Sequence, residues 1–209
     1  MTARKNNHKT ERPIDRRSGF RRVKQTFLIV CEGEVTEPEY FNSFRLTSAS
    51  VRAVGRGLNT LSLVKESIKI KKQESAKGKS YNQYWVVFDK DDFPDNDFNG
   101  AIKLAETNGF KVAYSNQAFE YWLLLHFNLY QGPLHRDRYG EMLSKLLGVK
   151  YTKDSGEMAR IFGQLFPRTE TAISNAKKVM ESHKGENPAK AESSTTVYCL
   201  VEQLLKFLY

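Results

Sequence analysis

Two groups of carboxylates, each directly after a short apolar run, have the residue types and spacing to do chemistry. Glu32, Glu34, Glu37 and Glu39 follow Phe27-Leu28-Ile29-Val30. Asp89, Asp91, Asp92, Asp95 and Asp97 follow Tyr84-Trp85-Val86-Val87-Phe88. If the two runs are neighbouring strands, several carboxylates converge. Two unit charges about 4 Å apart then repel by roughly 4 kcal/mol at an effective dielectric near 20. A bound divalent cation relieves that repulsion, and hard oxygen donors of this kind suit Mg²⁺ or Mn²⁺ better than zinc. The plainer reading makes these surface acids, with Glu34 and Glu37 only favouring a helix N-terminus through its dipole.

Glu120 is a third candidate. It lies in Phe119–Phe127, the most apolar stretch of the chain. A buried carboxylate there needs an ion, a basic partner or solvent in a cleft. The bland alternative is a salt bridge to an arginine such as Arg168. His126, on another face of the same stretch, reads as a packed core histidine.

The positioning elements follow from pattern. Residues 27–30 read as a strand buried on both faces. Gly33 permits a turn between Glu32 and Glu34. Thr36 and Glu39 have capping-box spacing and Pro38 suits a first helical turn, so a helix follows, with Tyr40, Phe41 and Phe44 inward. A second strand is expected over 50–55, then a Gly55-Arg56-Gly57 turn. Asn59 or Thr60 can cap a helix to about Ser75, with Leu61, Val64 and Ile68 on its inner stripe and Lys65, Lys69 and Lys71 on its outer face. A strand at 84–88, a helix near 98–108 stopped by Gly109, a strand at 110–114 and a buried helix at 119–127 complete this half. Further helices are expected near 136–147, 155–165, 169–183 and 194–208. Strands alternating with helices predict an α/β fold with a mostly parallel sheet flanked by helices and a C-terminal helical cap. The division expected is a basic arm over 1–24, an α/β core over 25–130 and a helical extension over 131–209.

The chain has 209 residues and a net charge of +9. Residues 1–24 carry nine basic and two acidic side chains, +7 of that total. An arm of this kind touches a polyanion or is simply a solvated tail. No apolar run is long enough to span a membrane and no secretion signal opens the chain, so a cytoplasmic protein without a membrane partner is expected. Two cysteines, Cys31 and Cys199, have no metal-site spacing. There is no P-loop, no Ser-His-Asp arrangement and no dinucleotide glycine fingerprint. Asp95 to Glu106 fits the spacing of a calcium loop, but a strand and Pro94 precede it where an entering helix should be.

Glu32, with Asp89-x-Asp91 after a second strand, resembles the Toprim pattern of topoisomerases, primases and OLD-family nucleases. In order, IVCEGEVTEPEYF, VVFDKDDF, YSNQAFEYWLLLHF and STTVYCLVEQLL are similar to the RloB-like family, over roughly residues 20–208. One departure is that Asn-Pro is expected before the aromatic-Glu pair, and Asn116-Gln117-Ala118 stands there. The resemblance implies a Toprim-like fold, a place in bacterial restriction and phage-defence loci, sometimes beside a partner ATPase, and metal-dependent cleavage of DNA or RNA. Asp89 and Asp91, with Asp92 beside them, would then hold Mg²⁺ or Mn²⁺ against a phosphodiester. Glu32 would bind the same or a second ion or act as general acid/base, and Glu120 would complete the site. Arg21, Arg22, Lys65, Lys69 and Lys90 would contact the substrate backbone. The alternatives are a non-catalytic nucleic-acid- or nucleotide-binding module that regulates the ATPase, and a cation-stabilised structural domain.

Overall fold

The computed structural model of the chain describes residues 24–208. The strands are β1 (Gln25–Cys31), β2 (Ala49–Gly55), β3 (Gln83–Asp89) and β4 (Lys111–Ser115). They form one sheet in the order β2-β1-β3-β4, and every strand pair is parallel. Between them lie α1 (Thr36–Asn42), α2 (Thr60–Ala76) and α3 (Asp95–Thr107). After β4 come α4 (Glu120–Leu124), α5 (Tyr139–Leu147), α6 (Glu157–Leu165), α7 (Thr169–Ser182) and α8 (Val197–Leu205). The fold is the helix-flanked parallel α/β architecture that the sequence predicts, with its C-terminal helices packed on the sheet.

Strand alternation sorts the apolar runs into two cores. Phe27, Ile29, Cys31, Trp85 and Val87 face one side, against α1, α4 and the C-terminal helices. Leu28, Val30, Val86 and Phe88 face the other, against Leu63, Val64 and Ile70 of α2 and Phe98, Ala101 and Ala105 of α3. A strand covered on both faces has no position for a polar residue, hence the unbroken run in β1.

The chain leaves β1 for β2 across the α1 face and returns from β2 past β1 to β3 across the α2 face. Direction and face reverse together, as uniform right-handed crossovers require. The strand order therefore turns back between β1 and β3. A crevice opens beyond their carboxyl ends, where open parallel sheets take ligands.

Both sheet edges are met by side chains or loop backbone near that end. The Asn42 amide donates to the Ala53 carbonyl and accepts from the Ala53 N–H, each at 3.2 Å, closing the middle of β2. On β4, Thr196 N donates to Tyr114 O at 2.8 Å, and Ser115 bridges antiparallel to Thr195.

Several local expectations change. α3 begins at Asp95, so the calcium-loop spacing lies inside a continuous helix, whose ligands point around its axis and cannot wrap an ion. The Asp95 carboxylate instead meets Lys90 at 3.3 Å. In α2 the buried stripe is Thr60, Leu63, Val64, Ser67, Ile70 and Glu74, with Leu61 and Ile68 at its margins. Glu74 is buried because Arg52 neutralises it at 2.7 Å. Asn59 caps this helix, accepting from Ser62 N. The 119–127 stretch is buried as expected through residue 126, but its α-helix covers only Glu120–Leu124 before turns take over. The last helix starts at Val197, three residues later than expected, because 194–196 run extended beside β4.

At Gly55 a Cβ would lie 2.4 Å from both the Glu34 Cα and the Gly33 carbonyl, so the end of β2 can approach the turn after β1 only without a side chain. Gly55→Ala should lower unfolding stability by about 2 kcal/mol, since backbone must move. Gly100→Ala, in open space within α3, should raise it by roughly 0.5–1 kcal/mol. Urea titration of both variants checks this, and equal effects would contradict it.

Candidate functional site

Glu32 and Asp89, two of the candidate carboxylates, meet at the crevice. Glu32 continues β1 by donating its N–H to Val87 O at 2.9 Å. Its side chain then crosses to β3, where Oε2 accepts the Asp89 N–H at 3.1 Å. Asp89 is the last residue of β3, and its Oδ2 accepts the Phe119 N–H at 3.0 Å. Glu32 and Asp89 thus tie together the ends of β1 and β3 and the turn leading into α4.

Glu37, Glu120 and Asp91 lie around them, with Asp92 further out. Glu37, in the first turn of α1, is buried and accepts the Gly33 N–H at 3.1 Å. A Cβ on Gly33 would sit 2.2 Å from Glu37 Oε2, so glycine there admits the carboxylate. Glu120 is 4 % exposed, accepts the Tyr151 hydroxyl at 3.0 Å and pairs with Lys153 at 2.8 Å. Arg168, the arginine considered for it, instead donates to Gln164 O and lies over the Phe127 ring. Asp91 adopts φ +44°, a left-handed conformation that aspartate tolerates better than most residues, and pairs with Arg136. Asp92 is exposed and meets the other arm of the same guanidinium at 2.5 Å.

A cleft of about 280 Å³ is lined by Glu32, Glu37, Asp89, Asp91, Glu120 and Lys153. A second, of about 760 Å³, shares Asp89, Asp91, Glu120 and Lys153 and adds Arg136, Tyr139 and Tyr151. Burial pushes the Asp89 carboxyl well above the usual range, and the charges of Glu37, Glu120, Asp91 and Glu32 push it further. Burial raises Glu32 to about 8, against the Asp89 N–H that favours its ionised form, while Asp91 and Glu37 add to the rise. Glu37 and Asp91 are raised chiefly by burial as well. For Lys153 burial works against the charge, and Glu120, Asp89 and Glu37 outweigh it, so its ammonium is held more firmly than usual.

Among the described residues, no three His, Cys, Asp or Glu side chains are gathered closely enough to form a ready metal cage. The donor chemistry nonetheless fits a hard divalent ion. Several carboxylates share one crevice, and burial first, then their mutual charges, raises the proton affinities of Glu32, Glu37 and Asp89. Such an ion would be held by Glu32, Asp89 and Asp91, with Asp91 and Asp92 shared with Arg136.

Of the expected substrate lysines, Lys90 lies beside the acids and is itself engaged, while neither Lys65 nor Lys69 lines the two clefts. Lys90 is buried, donates to Phe93 O at 2.5 Å and pairs with Asp95. Lys65 is exposed on α2, and Lys69 is paired with Glu66 at 3.1 Å. Two residues past Lys69, Lys71 donates to Asn108 O and lies over the Tyr84 ring near the start of β3, at the end of the sheet away from the acids. Arg21 and Arg22 fall outside the described residues. Neither Tyr151 nor Lys153 was anticipated. Both come from the loop between α5 and α6, which is fastened to α1 by Glu39. That carboxylate accepts the Gly156 N–H at 2.8 Å and the Ser155 hydroxyl at 3.0 Å. Glu39 therefore serves no capping box, and α1 begins at Thr36 without a side-chain cap. Gln117, within the Asn116-Gln117-Ala118 segment that stands where Asn-Pro is expected, has φ +87°, which a proline ring fixed near −65° could not adopt. Its Oε1 accepts the Arg136 N–H at 2.8 Å.

Because the folded state holds the Glu32 proton more tightly than the unfolded chain, this group adds stability below its ordinary value near 4.5, and that contribution is lost as pH rises through about 8. In EDTA, Glu32→Gln should therefore exceed the wild type at about pH 9 by roughly 1–2 kcal/mol, discounted for partial exposure, and match it at about pH 5. Denaturant unfolding at the two pH values measures this, and an equal difference at both would contradict it.

No curated protein and no solved structure matches the chain. The RloB-like protein family matches residues 27–204, from β1 into α8 and across every acid of the site. The chain belongs to the RloB-like protein family.

Proposed function

We propose that this chain is a divalent-metal-dependent nuclease that hydrolyses phosphodiester bonds in DNA or RNA, working in the cytoplasm of bacteria as part of phage defence beside a partner ATPase. The observation that carries the reading is the junction of Glu32 and Asp89 at the turning point of the strand order, where a parallel sheet takes its ligand. A Toprim-like sheet and family membership support it.

Glu32, Asp89 and Asp91 would hold Mg²⁺ or Mn²⁺, and Asp92 lies close enough in sequence to share the load. A bound divalent ion supplies positive charge to phosphate oxygens and makes a bound water more acidic. If Asp89 and Asp91 hold the ion without it, Glu32 would instead serve as general acid/base through the carboxylate oxygen not engaged by the Asp89 N–H. Asp89 is fixed by the Phe119 N–H, so its carboxylate needs little reordering before it binds. Lys153, presented across Glu120, places a positive charge beside the substrate path. The buried Tyr139 and Tyr151 help line the larger cleft and limit water on that side. With the basic residues of the first 24 positions, these cations would offset the repulsion between an acidic crevice and a polyanion.

Labelled DNA and RNA, transfer RNA included, should be cleaved with Mg²⁺ or Mn²⁺ and not with EDTA. Glu32→Gln and Asp89→Asn should each lower the rate by at least about a hundredfold while the fold survives, as for loss of a group that stabilises transition-state charge. Binding of nucleic acid or nucleotide without cleavage under any metal, even with the ATPase present, would overturn the nuclease reading in favour of a regulatory module.

A further inference from the structure

Arg136 opens the 3₁₀ turn Arg136–Arg138 and stands where the acid cluster meets the larger cleft. One arm of its guanidinium pairs with Asp91 and the other with Asp92. All three are partly open to solvent, with 30 %, 40 % and 88 % of their side chains exposed. Ion pairs this exposed are held loosely and exchange with competing ions. The backbone beneath them is fixed independently, because Gln117 accepts the Arg136 N–H. The guanidinium can therefore change partners by moving the side chain alone.

The two carboxylates it pairs with differ in what they border. Asp91 lines both clefts, the smaller one shared with Glu32 and Asp89. Asp92 is on the outer side and lines only the larger. The described cations lining the larger cleft are Arg136 and Lys153, and Lys153 is engaged by Glu120. A guanidinium fork fits a phosphate as well as it fits a carboxylate pair.

We propose that Arg136 is a substrate-contact residue held in reserve: it neutralises Asp91 and Asp92 until a divalent cation takes Asp91, and its freed guanidinium then receives a nucleic-acid phosphate in the larger cleft. This rests on the metal-dependent reading above. It makes Arg136 a competitor of the ion and a helper of the polyanion, so its removal changes the two affinities in opposite directions. A mere staple for the turn after β3 would behave otherwise, since removing it would leave Asp91 less ordered and weaken the ion.

The test uses the full chain, titrated with Mn²⁺ alone by calorimetry and then with labelled single-stranded DNA and RNA in Mn²⁺, the latter with phosphorothioate backbones to suppress cleavage while every carboxylate of the site stays in place. Arg136→Gln should bind Mn²⁺ about fivefold more tightly and nucleic acid about fivefold more weakly, the scale expected for a part-exposed ion pair. Arg136→Lys keeps the charge but cannot bridge two carboxylates, so it should fall between; it also serves if Arg136→Gln does not fold. Mn²⁺ affinity unchanged or weakened in both variants, with the wild type binding the ion, overturns this proposal alone. Unweakened nucleic-acid binding in Arg136→Gln does the same. A wild type that binds no Mn²⁺ removes the metal reading and this proposal with it.

Discussion

Carboxylates withdrawn from water beside one another are the constraint on which this structure turns. Glu32, Glu37, Asp89 and Glu120 lie within electrostatic reach of one another, and Glu37 and Glu120 are almost wholly buried. Each is held by a donor rather than left bare: the Asp89 N–H, the Gly33 N–H, the Phe119 N–H, and the Tyr151 hydroxyl with Lys153. Those donors come from widely separated parts of the chain. The sheet, α1, the turn into α4 and the α5–α6 loop must all be in place before the acids are tolerated. An unpaired buried charge is expensive, so the crevice depends on the complete fold.

The helical half of the chain is part of this arrangement. Its core is continuous with α1 and α4, and its α5–α6 loop delivers Tyr151 and Lys153 to Glu120. Glu39, which looked like the local partner of Thr36, clamps that loop from α1 across more than a hundred residues. The larger cleft is thus walled on one side by the end of β3 and on the other by residues beyond position 135.

What could be read from the residues was whatever their local pattern determines. β1 and β3 announce themselves because strands covered on both faces must be apolar throughout, and acids directly after them must emerge at the carboxyl ends. Strand neighbourhood is a tertiary fact, and only it tells that Glu32 reaches the Asp89 N–H. In α2 only Val64 of the expected stripe is fully buried, because the inner face also takes Ser67, bonded to Leu63 O, and Glu74, paired with Arg52. Lys153 sits in a connecting segment with no period to mark it and Arg136 at the opening of a 3₁₀ turn, and an isolated cation carries no sign of which acid it will meet. Gln117 gives no sign of it either, since only the folded chain shows its φ of +87° and its side chain accepting the Arg136 N–H.

The treatment of the sheet margins has a bearing on assembly. The Asn42 amide occupies Ala53 on one side, and the Thr195–Thr196 segment occupies Tyr114 and Ser115 on the other. A foreign polypeptide seeking to lengthen the sheet near the acids finds no vacant ladder groups at those residues. Recruitment of a second protein close to the crevice is thereby shifted from main-chain pairing to side-chain recognition of helices and loops, a mode that point substitutions can retune without disturbing the strands.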